Sequence, residues 1–212
     1  MLAPHIHAAT FGDRVVLLDV EADRYRLISG DAARVVVAEL ERHQISDTIM
    51  TAALFKAGIF VAEPTGPAHA RRPMPAIPAG RLPDRVPSKR AILPTLRALL
   101  SARFRLRRWG LARTLAQASA RAPATRSVDV DIAAITVAAV FARARVLIPL
   151  SRACLPDSLA LFELLKRAGS RATLVIGVRL DPFLAHCWVQ TDQFILNDDP
   201  DSVLAYTPIL AL

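Results

Sequence analysis

The sequence predicts an α+β fold in two parts: a small module and a larger domain, joined by a proline-rich linker. Three observations carry this expectation. Short runs rich in β-branched and apolar residues open and close the chain. Long stretches with apolar residues three and four apart lie between them. Seven prolines (Pro64, Pro67, Pro73, Pro75, Pro78, Pro83 and Pro87) fall within one short segment. Each removes a backbone donor and fixes φ, which excludes regular helix and central strand there.

The first part, residues 1–66, opens with three extended segments. HIHAATF and RVVLLDV are separated by Gly12-Asp13, a turn signal. RYRLIS follows after the turn EAD. Two helices come next. Asp31 is placed to cap the first, with Val35, Val36 and Leu40 on one face. Ser46 or Asp47 is placed to cap the second, with Ile49, Met50, Ala53 and Leu54 inward and Gly58 at its end. IFVAE reads as a short closing strand. Three strands and two helices describe a winged-helix-like module, and nothing in it is a titratable cluster suited to chemistry. Residues 67–90 are the linker, an extended and semi-rigid spacer.

The second part, residues 91–212, begins with helices. ILPTLRALLSARFRLRRWGLARTLAQAS places apolar residues at Leu96, Leu99, Leu100, Phe104, Leu111 and Leu115. VDVDIAAITVAAVFARARVLI continues the pattern up to Pro149. A third helix spans roughly residues 156–168 and stops at Gly169. ATLVIGVRL, HCWVQ and FILND then read as strands of a small antiparallel sheet. Helices followed by strands make this an α+β domain.

Composition excludes several functions. The longest apolar run, residues 132–142, is far short of the roughly 20 residues needed to cross a bilayer. His5 and His7 interrupt the N-terminus where a signal peptide would need an apolar core. A cytoplasmic protein with free thiols at Cys154 and Cys187 is expected, with no membrane partner. The net charge of +8 is concentrated: residues 71–121 hold 13 Lys or Arg against one Asp, whereas residues 1–63 hold 6 basic and 9 acidic groups. A solvated basic linker and helix face is preferred to a nucleic-acid patch. No reader motif accompanies Arg103, Arg105, Arg107, Arg108 and Trp109.

Chemistry is concentrated near the end of the chain. Cys154 stands immediately before the third helix of the larger domain, in RACLPDSLALFELLKRAG. The unpaired N–H groups and positive end of a helix stabilise a thiolate, the form that attacks carbonyls. The competing role is a small buried hydrophobe. His186 is the sole histidine of the larger domain and begins HCWVQ. A turn centred on Asp192 sets Asp198 directly opposite His186, where a carboxylate can orient the imidazole. A turn one residue different would bring Asn197 or Asp199 there instead. Cys187 neighbours His186 on one strand and so points to the other face, into the core. The same divergence argues against a zinc site built from Cys154, Cys187, His186 and Asp198. No metal is expected.

ACLPDSLAL, LLKRAG, LVIGV and PFLAHCWVQTDQFILND resemble the leader peptidases of lasso-peptide biosynthesis, transglutaminase-like cysteine proteases known as B proteins. The resemblance covers about residues 91–212. It implies a papain/transglutaminase-like domain with Cys154 as nucleophile, His186 as acid and base, and Asp198 as orienting group. More weakly, through Asp23, Tyr25 and the two helices, residues 1–66 resemble a winged-helix leader-recognition element. This implies strand addition of the leader along Tyr25, Arg26, Leu27 and Ile28, beside Thr51 and Phe55. The implied partners are the precursor peptide, through its leader, and an asparagine-synthetase-like lasso cyclase, with no nucleic acid. No cofactor is implied beyond an ATP dependence reported for some relatives, and the sequence holds no P-loop. Alternative functions are a transamidase using the same triad and a winged-helix nucleic-acid-binding regulator. The acidic balance of residues 1–63 opposes the latter.

Overall fold

The computed structural model describes residues 1–41, 48–62, 89–120 and 130–212. The expected helix caps Ser46 and Asp47, and the prolines between residues 64 and 87, lie outside the described residues. The chain opens with β1 (Ile6–Phe11), β2 (Arg14–Asp19) and β3 (Arg24–Ser29), an antiparallel sheet in that order. Gly12 turns the first hairpin at φ 60. Asp19 turns the second by accepting from the N–H groups of Glu21 and Ala22 at 3.1 and 2.9 Å.

Helices α1 (Gly30–Leu40) and α2 (Thr48–Lys56) follow, and Gly58 ends α2 at φ 71. Three local expectations need correction. Asp31 lies inside the first turn of α1 and pairs with Arg34, while Ser29 occupies the cap position. On α2, Leu54 is buried but Ile49 is 84% exposed and Ala53 is exposed. Leu54 and the half-buried Met50, one helical turn apart, form the face that meets the core, and Ile49 lies off that stripe. Of the segment IFVAE, the described residues 59–62 form only an isolated bridge, Phe60 with Leu2.

The larger domain holds α3 (Lys89–Ala120), α4 (Val130–Leu147) and α5 (Cys154–Arg167). Gly110 kinks α3 with φ 73, a conformation that glycine adopts without a Cβ penalty. Leu99, Leu111 and Leu115 are buried, whereas Leu100 and Phe104 are exposed on the outer face. The second sheet comprises β4 (Thr173–Arg179), β5 (Leu184–Gln190) and β6 (Thr207–Ala211), antiparallel in the order β5-β4-β6, with α6 (Pro200–Leu204) ahead of β6. The molecule is therefore α+β, with helices preceding an antiparallel sheet, as the sequence predicts.

The two sheets are not separated in space. One face of the N-terminal sheet (Ile6, Val15, Leu17) packs on α1 and α2 in a core with Leu54 and Phe60. Its other face (Ala9, Val16, Leu18) joins the core of the larger domain with Leu111, Leu115, Leu161 and Leu210. The N–H of Ala112 donates to the carbonyl of Val20 at 3.1 Å across that contact. A strand with both faces covered reads as a continuous apolar run, which is what Val15–Val16–Leu17–Leu18 is. Among the described residues no helix is long and apolar enough to cross a membrane.

Candidate active site

Cys154 is the first residue of α5 and is reachable from solvent. Alanine at position 153 is extended and offers no side-chain cap, so the first N–H groups of α5 have no capping side chain. Cys154 lies beside His186, and the N–H groups of Cys187 and Leu155 are also close to the sulfur. His186, helped by these amides, holds the Cys154 thiol below its ordinary range against the opposing effect of burial.

His186 projects from β5, opposite Gly177 of β4. Its Nε2 bonds to Oδ2 of Asp198, which leaves Nδ1 for the sulfur. The bond to Asp198, then that to Cys154, pushes the imidazole up to about 9. Burial works to raise the Asp198 carboxyl, but His186 and the N–H of Asp199, which donates to Oδ1 at 2.8 Å, bring it below the usual carboxylate range. The ring of His186 stacks on Trp188 (centroids 6.2 Å apart, 23° between planes) and leans on Tyr206 at 5.2 Å. The structure thus brings together the three residues singled out in the sequence.

Asp198 does not reach His186 across a hairpin ladder. The ladder partner of β5 is β4, and residues 194–198 form no strand beyond an isolated bridge of Gln190 with Ile195. Leu196 N–H donates to Val189 O at 2.8 Å, a register that would set residue 199 rather than 198 opposite His186. The ladder stops because the Asn197 side chain takes its next rung: its Oδ1 accepts from Val189 N–H at 2.7 Å. Asp199 and Pro200 then start α6, with Asp199 accepting from Asp201 N–H at 3.0 Å. The three acidic or amide candidates therefore divide their work. Asn197 fastens the loop, Asp198 meets the imidazole and Asp199 caps a helix.

Cys187 is buried in the core, and burial pushes its thiol up, beyond nucleophilic use at neutral pH. Its carbonyl accepts from Ser158 Oγ at 2.8 Å, and Ser158 in turn accepts from Asn197 Nδ2 at 2.8 Å. Ser158 lies one turn after Cys154 on α5, so this buried chain ties the helix of Cys154 to the strand of His186. A serine opening the apolar run SLALF is the signal for it. Arg145 is the second fastening. It is 5% exposed and donates to Asp157 Oδ2 at 2.9 Å and to the carbonyls of Ile148, Leu150 and Ser151 at 3.2, 2.9 and 2.9 Å. One guanidinium thus shapes the loop that delivers Cys154.

Of the residues expected to bind the leader, Tyr25, Arg26, Leu27 and Ile28 lie on β3, an edge strand. Tyr25 and Leu27 face the larger domain, Leu27 largely exposed, and Arg26 is 3.7 Å from Asp19. Ile28 packs toward the core under α1, and Thr51 and Phe55 lie on α2, the Phe55 ring edge-on to Phe60. In the basic stretch, Arg103 binds Ser151 O and lies 3.7 Å from Asp157, and Arg105 pairs with Glu163. These two arginines are engaged within the fold. Among the described residues no cluster of three or more His, Cys, Asp or Glu could hold a metal ion.

The model of the family described as "Transglutaminase-like superfamily" matches residues 96–211, more than half of the chain. The chain belongs to the transglutaminase-like superfamily. Cysteine peptidases and transamidases are typical of this superfamily, and the match spans α5, β5 and the loop that carries Asp198. Over 48 residues the chain is 44% identical to the microcin J25-processing protein McjB of Escherichia coli. That stretch is 23% of this chain and 23% of McjB, so the match spans about a quarter of the relative's length. No solved structure matches.

Proposed function

We propose that the protein is a cysteine endopeptidase that removes the leader from a ribosomally made lasso-peptide precursor. One observation carries the reading: a solvent-reachable thiol at a helix N-terminus, beside an imidazole that a carboxylate holds on its far side. Superfamily membership and the similarity to a protein named for processing microcin J25 support it.

The chemistry runs in two halves. The Cys154 thiolate attacks the carbonyl at the leader–core junction, and the imidazolium of His186 gives its proton to the leaving amine. The C–N bond breaks, the core peptide departs with a free amine, and the leader remains as a thioester. His186, now neutral, takes a proton from water, whose oxygen attacks the thioester. The leader acid leaves and the thiolate–imidazolium pair returns. Asp198 keeps the ring oriented and its charged form favoured, and such proton transfer contributes about 10²–10⁴-fold.

In this reading the leader adds as a strand to the edge of β3 along residues 25–28, with Thr51 and Phe55 alongside. The freed amine would then pass to an asparagine-synthetase-like cyclase for macrolactam closure. Incubating precursor with the protein should yield leader acid and free core by mass spectrometry. Cys154→Ala should abolish both products while leader binding persists. Leader joined to an added amine, with no leader acid, would instead identify a transamidase.

A further inference from the structure

Arg14, Tyr25 and Leu27 project from one face of the N-terminal sheet, the face turned to the larger domain. Arg14 Nη2 and Nη1 donate to Asp181 Oδ2 and Oδ1 at 2.6 and 3.4 Å. The Tyr25 ring meets Phe183 edge-on, with centroids 5.4 Å apart. Asp181 and Phe183 form the turn between β4 and β5, and His186 lies three residues beyond Phe183. Leu27, Phe183 and Leu184 remain 55%, 47% and 42% exposed, an apolar surface that includes both the β3 edge and the start of the histidine strand.

We propose that Arg14–Asp181 and Tyr25–Phe183 act as a clasp that fixes the span between a peptide paired with β3 and the sulfur of Cys154, so that the cleaved bond is chosen by its distance from the recognised segment. The inference rests on the leader-peptidase reading and deepens it. Recognition on a flexible tether would bring bonds over a wide range of distances to the thiol, with effective concentration falling only gradually with length. Here the recognition sheet is packed into the catalytic core, and the clasp sets its orientation at the hairpin that carries the base. Burial above all pushes the Tyr25 phenol up to about 12, consistent with its place near the site.

The test uses the full chain and precursors with glycines inserted one at a time between leader and cleavage point. Wild-type kcat/KM should fall steeply with insertion, by about 10²-fold once the scissile bond is misplaced. Arg14→Glu and Phe183→Ala should flatten that dependence and lower cleavage of the native precursor by about ten-fold. Leader affinity and hydrolysis of a short leaderless peptide ester should stay unchanged. Adding Asp181→Lys to Arg14→Glu should restore the spacing preference. A wild-type enzyme indifferent to insertions, or clasp variants with the wild-type spacing profile, would overturn the inference. If the wild type cleaves no precursor, the peptidase reading falls on its own. The clasp is then judged by amide exchange across residues 180–186: faster in Arg14→Glu and slowed again by Asp181→Lys supports it, and equal exchange in all three overturns it.

Discussion

Gly177→Ala is the sharpest test of how the imidazole is held. Gly177 lies opposite His186, at a bulge in the β4–β6 pairing. A Cβ there would sit 2.6 Å from Cζ3 and 2.7 Å from Cη2 of Trp188, and 3.0 Å from Cβ of Tyr206. Carbon atoms rest about 3.5–4.0 Å apart, so the indole would have to retreat by about 1 Å. It has little freedom to do so. Trp188 is fully buried and its Nε1 donates to Gln190 Oε1 at 2.7 Å. Overpacking of this kind costs about 1–3 kcal/mol, or about 2–4 °C in Tm per kcal/mol for a chain of this size. The strain passes to His186, which stacks on Trp188 and leans on Tyr206. Misplacing a catalytic group by about 1 Å can lower kcat/KM by about 10²-fold. Thermal melts, precursor cleavage and the rate of Cys154 alkylation read the three levels separately. An alanine variant that melts, cleaves and alkylates like wild type would refute the claim that the indole is a fixed support.

The other predictions concern charge and fastening. With His186 held to about 9, activity should persist as pH rises and fall as the imidazolium loses its proton near 9. Asp198→Asn, which removes the main cause, should shift that fall to lower pH in a kcat/KM profile. The sign for stability is the same. The contribution of the raised imidazole is complete below its ordinary 6.5 and is lost as pH climbs through about 9, which wild-type melts across that window would show. Cys187→Ala should lower stability by about 1 kcal/mol yet retain most cleavage, because its sulfur faces the core; loss of turnover in a folded variant would contradict that role. Arg145→Met removes a donor from Asp157 and from three carbonyls, of which Arg103 still holds Asp157 and Ser151 and the Leu150 N–H still holds Ile148, and should cost about 1–3 kcal/mol in denaturant titration.

Much of this was legible in the residues. Strands β1 to β3 follow from apolar runs punctuated at Gly12, and Cys154, His186 and Asp198 from a helix start and the single histidine of the larger domain. The route by which Asp198 arrives was misread, because a side chain (Asn197) and a helix start at Asp199-Pro200 intercept the expected ladder. Periodicity weighs strand character and is blind to such captures. Strand β6, in TPILA, went unread because its proline and short length resemble a tail. The partners of Arg145, Asp157 and Ser158 are not legible in the sequence for another reason: a polar residue on a helix marks itself, but only tertiary packing reveals what it binds. The unbroken apolar run Val15–Leu18 reflects cover on both faces, which the expected separation into two domains does not anticipate.

That doubly covered sheet bears on engineering. The N-terminal sheet cannot be exchanged as a cartridge, because Ala9, Val16 and Leu18 must mate with the surface around Leu111, Leu115 and Leu210. Either half expressed alone would present that apolar face to water and would favour self-association until a complementary surface was supplied.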